Sequence, residues 1–403
     1  MTLAGLIGLA KFGLYANLLT PTELGGYSFS LLLSAYGIYI CGLGLYEGAL
    51  GGFPLWYGKK LNLKVETARN QILGFLCISG ISLCFLAVIN FGMPSVFSLP
   101  NLSVFLIAIL SASSTFFLVL LADIRSRLMI FQFGIFMLAR AALSILLGGL
   151  LAISYGYTGI LFSEILITLL LVIIIAFREI ENIGIQVPDF LTLKPLFRIG
   201  IPLMLNGLVS NTALNIDRFF VVAALGTDTF GQYSFAMLLA LGGAMVQGII
   251  YQQIGPEILH QIGQGLSPDM ILAKLNRFIF VIFIFSLLVF YPFLLTAQRS
   301  VPQYFPEYSQ TIPILPIVYF GATFTAVSVY ENFTVALKKT EYILVLNVFI
   351  IVIALFASVL AVKYNASILV FAAIYAVGRF LYFLSTMMMA FWAVRRINQV
   401  KRV

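Results

Sequence analysis

A chain of 403 residues that is 61% hydrophobic and only 9% charged, with a mean hydropathy of +1.06, has too few polar groups to clothe a soluble globule. Its formal charge of +8 and pI near 9.3 read as contact with anionic lipid headgroups rather than with nucleic acid. The composition implies an all-α polytopic membrane protein, because the apolar runs are continuous rather than strictly alternating as in a membrane β-barrel.

Apolar runs close to the roughly 20 residues that cross a bilayer predict twelve spans, near 3–19, 27–45, 71–91, 103–121, 131–153, 157–177, 200–222, 231–251, 277–297, 312–335, 342–362 and 367–393. Seventeen Lys and Arg residues fall in the loops after even-numbered spans and in the tail. Only Arg299 and Lys363 fall on the other side. The positive-inside bias therefore predicts an even span count and two cytoplasmic termini.

The first span, with Lys11 near its middle, reads as a retained helix rather than a cleaved signal, about ten residues shorter than a typical start. Thr20 to Gly26 reads as an outer loop, with Pro21 setting a turn and Gly25 and Gly26 permitting positive φ or close packing. Glycines in GLGLYEGALGG predict close helix approach, followed by a long basic loop whose KKLNLK lies at the headgroup surface. Spans 3 and 4 read as polar-poor apart from Ser and Thr. A short turn, SYGYT, brings Arg140 of span 5 and Glu164 of span 6 onto adjacent helices, at depths about six residues apart, or roughly 9 Å, so that a direct salt bridge would be strained. Cys41, Cys77 and Cys84 read as small buried hydrophobes within helices.

The charged, proline-bearing stretch 181–199 reads as a cytoplasmic linker between six-helix lobes at 1–180 and 200–403. Parallel repeats of this kind are related by a pseudo-two-fold along the membrane normal. At an offset of 206, LTPTELGGYSFSLLL from Leu19 matches LGTDTFGQYSFAMLL from Leu225 at seven of fifteen positions, and Lys11 falls opposite Asp217. Span 7 is the most polar. Asn206, Ser210, Asn211, Asn215, Asp217 and Arg218 fall on neighbouring stripes of one face, which must meet water or another polar surface. If spans 1 and 7 face one another, Lys11 and Asp217 form a breakable pair. Further on, Pro256 ends span 8, Pro292 kinks span 9, Glu331 lies toward the end of span 10 and Arg379 lies in span 12.

Soluble-type catalysis has little to work with. The single histidine, His260, lies in a loop, and no phosphate-binding glycine loop or Cys/His metal spacing is present, so the expectation is a transporter rather than an enzyme, without a cofactor. The interior ionisable set is Lys11, Arg140, Glu164, Asp217, Arg218, Glu331 and Arg379. Its cationic majority suits a phosphate-bearing substrate.

The stretch from FRIGIPLMLNGLVSNTALNIDRFF to the Pro-containing QQIGPEI resembles the start of the C-terminal half of Wzx-type polysaccharide flippases, of the multidrug, oligosaccharidyl-lipid and polysaccharide exporter superfamily. LLTPTELGGYSFSLLL resembles that family's first hairpin, with its Leu-x-Pro-x-Glu-x-Gly-x-Tyr run; Glu47 departs from the Arg expected there. The resemblance implies two lobes around a cationic cavity in a bacterial inner membrane. It implies alternating access that flips undecaprenyl-diphosphate-linked oligosaccharides outward on a proton or sodium gradient, beside polymerase and other polysaccharide-assembly partners. Asp217 and Arg218 would be the family's Ile-Asp-Arg element. Lys11, Arg140, Asn211, Asn215, Arg218 and Arg379 would line the cavity, and Asp217, Glu164 and Glu331 would serve coupling or gating. The alternatives are a cation-coupled multidrug exporter, expected to carry interior acids, and a membrane glycosyltransferase or polymerase, expected to carry a long catalytic outer loop. The longest outer loop here, near Gln298 to Thr311, holds one Arg and one Glu.

Overall fold

The computed structural model describes residues 2–89, 100–180, 182–243, 267–326, 330, 333–334 and 340–400. Its helices are α1 (Thr2–Leu18), α2 (Pro21–Gly42), α3 (Leu45–Gly58), α4 (Asn62–Ile89), α5 (Asn101–Ser126), α6 (Ile130–Arg178), α7 (Phe190–Gly243), α8 (Pro268–Tyr304), α9 (Leu315–Ala326), α10 (Thr340–Lys363) and α11 (Ile368–Val400). Among the described residues eight helices are long and apolar enough to cross a membrane. Two of these are double. Gly156 (φ 56°) breaks α6, and Gly226 (φ 84°) breaks α7. Counting the halves of α6 and α7 separately and adding the shorter α1 and α9, twelve helical segments overlap the twelve predicted spans. Pro256 and His260 lie outside the described residues.

Two expected loops are helical. Pro21 is the first residue of α2, fixed by a capping box in which Thr20 and Glu23 each accept from the other's backbone N–H. No positive φ is needed at Gly26, which instead gives space to the Tyr157 ring. The long basic loop after span 2 is mostly α3. Leu43 and Gly44 in left-handed conformation interrupt the helix before it, and only Lys59 to Leu61 separate α3 from α4. Helix α8 continues through Pro292.

The chain divides into two compact units, Met1–Leu208 and Val209–Val403. In the first, α5 is the central helix, packed by α2, α3, α4 and α6. Small residues set its crossing with α2: Gly37 lies against Ser111, and Gly42 against Thr115. The hydroxyls of Ser111 and Thr115 are satisfied by carbonyls one turn back, at 2.7 Å each.

Helix α7 starts at Phe190, inside the stretch expected as linker, and its first turns belong to the first unit. A Cβ on Gly200 would lie 1.8 Å from Gly44 O, and one on Gly48 2.5 Å from Leu196 O, so α3 and α7 pack backbone to backbone as the glycine run predicts. Leu193 and Leu196 join Phe53, Trp56, Val65 and Ala68 in one apolar cluster. Asp189 caps the helix, accepting from Leu191 N, Thr192 N and the Thr192 hydroxyl. Those bonds, the hydroxyl's first, hold its carboxyl below the usual carboxylate range.

Helices α4 and α5 extend beyond predicted spans 3 and 4 and carry buried charge in those extensions. Arg69 of α4, expected as a loop cation, is fully buried and bonds Asp123 of α5 at 3.0 Å. Asp123 also accepts from Tyr57 (2.6 Å) and Arg127 (2.9 Å). Arg69 and Asn70 both donate to the linker carbonyl of Asn182, and Gln186 N donates to Asn70 O. Removing one partner of such a buried pair costs about 3 kcal/mol, so Arg69→Leu is expected to lower the melting temperature of detergent-solubilised protein by several degrees. Gly48→Leu is expected to do the same, while Gly58→Ala, whose Cβ meets nothing within 4 Å, is expected to leave it unchanged.

The second unit assembles the remainder of α7 with α8 to α11. One cluster unites Ile271, Leu275 and Ile279 of α8 with Tyr330, Phe333, Ala390 and Val394. At its other end a 3-10 turn, Pro306–Thr311, is pinned to the second half of α7. Gln232 Nε2 donates to Glu307 O at 2.6 Å, and Phe235 packs on the Tyr308 ring at 4.6 Å.

Candidate functional site

Each unit holds its own cluster of interior charge. In the first, Lys11 of α1 pairs with Glu164 of α6, both largely buried. Lys11 also lies over the Tyr15 ring, whose hydroxyl donates to Ser144 O at 2.6 Å. Arg140 does not pair with Glu164 as expected. It donates to Ser114 Oγ at 3.2 Å and lies over the Phe117 ring at 5.1 Å. Gly148 permits this arrangement, since a Cβ there would lie 2.1 Å from the Tyr15 hydroxyl. The cluster as a whole carries two cations and one carboxylate, leaving Arg140 without an ion-pair partner among the described residues.

In the second unit Asp217 is 3% exposed and accepts from the Tyr233 hydroxyl at 2.6 Å. Within the first unit Lys11 is partnered by Glu164, and within the second Asp217 is partnered by Tyr233. Arg379 of α11 lies over Tyr375 and donates to Leu214 O of α7 at 2.7 Å. Asn215 donates to both Asn211 O and Oδ1 at 2.8 Å, and Asn347 of α10 donates to Ser210 Oγ at 2.7 Å. The polar face of span 7 therefore meets polar groups of α10 and α11. A cavity of about 20 Å³, room for a water molecule, lies between Asp217, Tyr375, Arg379 and Tyr382. Arg218 Nε and Asn211 Nδ2 are buried without a hydrogen-bond partner among the described residues. Glu331 lies outside the described residues.

The internal repeat has a concrete structural meaning. Tyr27 and Tyr233 stand at matched positions, and each is fully buried against the helix that precedes it. Tyr233 reaches the acid at position 217. Tyr27 packs against the rings of Phe12 and Tyr15, at 5.6 and 5.5 Å, and its hydroxyl has no hydrogen-bond partner among the described residues. Opposite partnerships at positions 11 and 217 account for the difference. The buried Arg69–Asp123 pair was missed because Asp123 falls just past the predicted end of span 4. An acidic residue within a turn of Arg125 and Arg127 was the available signal.

The contrast between the two tyrosines is testable. Losing a buried hydrogen bond to a carboxylate costs about 2 kcal/mol, so Tyr233→Phe is expected to lower thermal stability clearly. Tyr27→Phe is expected to be neutral or stabilising. Lys11→Glu and Glu164→Lys should each destabilise by about 3 kcal/mol, and the double exchange should recover most of the loss in the same melting measurement.

No family model and no curated protein matches this sequence. Solved structures do match, and over the whole chain. A multidrug resistance MATE family transporter of the MOP superfamily in its inward-facing conformation aligns with a TM-score of 0.77 at 16% identity, covering 100% of this chain and 96% of that one. An outward-facing structure of a multidrug resistance MATE family transporter aligns at 0.66 and 15% identity, covering 100% and 95%. A MOP superfamily transporter from Pyrococcus furiosus, described by the reverse polarity of its binding pocket, aligns at 0.64 and 15%, covering 100% and 94%. The chain has the fold of the MATE transporters of the MOP superfamily.

Proposed function

We propose that this protein flips undecaprenyl-diphosphate-linked oligosaccharides from the cytoplasmic to the outer leaflet of a bacterial inner membrane, by alternating access driven by a proton or sodium gradient, with both termini cytoplasmic. The observation that carries the reading is the sign of the interior charge. With Lys11 and Glu164 neutralising one another, and Arg69 likewise paired with Asp123, the remaining ions of the predicted interior set that are described are Arg140, Arg218 and Arg379 against Asp217. A low-dielectric interior with surplus guanidinium groups favours an anionic cargo, and planar forked guanidinium matches phosphate oxygens two at a time. Asn211, Asn215 and the tyrosines beside Arg379 supply the neutral donors that sugar hydroxyls need. The solved neighbours fit a multidrug exporter equally well as far as fold is concerned. The Pyrococcus furiosus relative is described by a reversed pocket polarity suggesting a different function, and a cationic surplus departs in the same spirit from what an exporter of cationic drugs requires.

Proteoliposomes loaded with a fluorescent lipid-linked oligosaccharide distinguish the two. Wild-type protein is expected to move the headgroup across the bilayer, and Arg140→Gln and Arg379→Gln are each expected to slow that step at least about tenfold, the worth of one charge-assisted contact. Efflux of a lipophilic cation such as ethidium, with no movement of the lipid-linked sugar, would overturn the reading.

A further inference from the structure

Helix α7 from Phe190 to its break at Gly226 is about 54 Å long at 1.5 Å per residue, against a hydrocarbon thickness of about 30 Å. Its first turns therefore extend into the interfacial layer. There they display an exposed stripe of Phe190, Leu191, Lys194 and Arg198, while Leu193 and Leu196 face the core of the first unit. Gly200 abuts Gly44 while Leu196 abuts Gly48 and Gly52, so α7 runs antiparallel to α3. That direction brings Phe190 to the level of the turn after Gly58, where Lys59, Lys60, Leu61, Leu63 and Lys64 are all exposed. Between them the linker, held by Asn70 and Gln71, exposes Ile185 and Val187 at 70% and 88%.

Five cations thus share one rim with six exposed apolar side chains, and none of the five enters an ion pair among the described residues. The nearby acids are committed or set back. Asp189 caps α7, Glu179 pairs with Arg178 at 3.7 Å, and Glu66 is half-buried. Lys64 is steadied over the Trp56 ring at 4.4 Å. Apolar side chains set among lysines and arginines at the end of a membrane helix are complementary to one surface, in which phosphates overlie acyl chains. We propose that this rim of the first unit is a binding surface for anionic phospholipid, with Lys59, Lys60, Lys64, Lys194 and Arg198 on the headgroup phosphates and Leu61, Leu63, Ile185, Val187, Phe190 and Leu191 in the acyl boundary. The assignment is independent of the transported cargo.

The test uses the full-length protein in detergent with equal amounts of phosphatidylglycerol and phosphatidylcholine, counting bound lipids by native mass spectrometry. The wild type is expected to retain phosphatidylglycerol preferentially. K64Q/K194Q/R198Q is expected to reduce that preference at least about tenfold, since each surface cation contributes a several-fold factor. R299Q/K363Q/R395Q, removing as much charge from exposed positions elsewhere, is expected to reduce it less than about twofold. Equal losses in the two triples, or no preference in the wild type, would overturn the proposal. A second measurement leaves the rim intact. The chain has two tryptophans, so W392F leaves Trp56 alone as the fluorophore, and vesicles of brominated phosphatidylglycerol should quench it more strongly than vesicles of brominated phosphatidylcholine. Equal quenching counts against the surface even if the triple variant fails to fold.

Discussion

A bilayer interior offers no water to an unpaired charge, and this constraint organises every polar feature of the chain. Among the described residues, most interior ions are met from within their own unit. Lys11 is met by Glu164, Arg140 by a serine hydroxyl and an aromatic face, Asp217 by Tyr233, and Arg379 by a helix carbonyl and Tyr375. Arg69 and Asp123, both fully buried, reduce each other's desolvation and extend the network to Tyr57, Arg127 and the linker backbone. Ionic contacts of this kind are costly to assemble and costlier to break. They therefore fix helix register in a bundle whose apolar faces by themselves leave register loosely defined.

Close backbone approach is the second organising element. Glycine in α2 and α3 lets α5 and α7 come within contact of the main chain at Gly37, Gly44 and Gly48. In lipid, where tails are as apolar as leucine, such packing replaces the hydrophobic drive that holds soluble bundles. The boundary between the two units falls inside α7, so the helix that carries the polar face is shared by sequence between them.

Much of this was legible in the sequence. Continuous apolar runs located the described helices, the glycines marked where helices approach, and the repeat located two tyrosines that turned out to be buried at matched positions. The partnerships were not legible. Lys11 and Glu164 are 153 residues apart, and nothing in a one-dimensional pattern selects Glu164 over Asp217 as the acid that meets a given lysine; only the packing of α1 on α6 does so. Helix ends were the other blind spot. Thr20 to Gly26 and the segment after Gly44 carry loop-like residues, yet a capping box and a single left-handed interruption let the helix start early in one case and resume in the other.

The burial of Arg69 also constrains the order in which the chain is assembled. Its carboxylate partner is made 54 residues later, and the carbonyl of Asn182 113 residues later. The site that buries Arg69 is therefore complete only when α4, α5 and the linker are all present. The linker that leads into α7 thus also serves as the last piece of the first unit's buried ionic site.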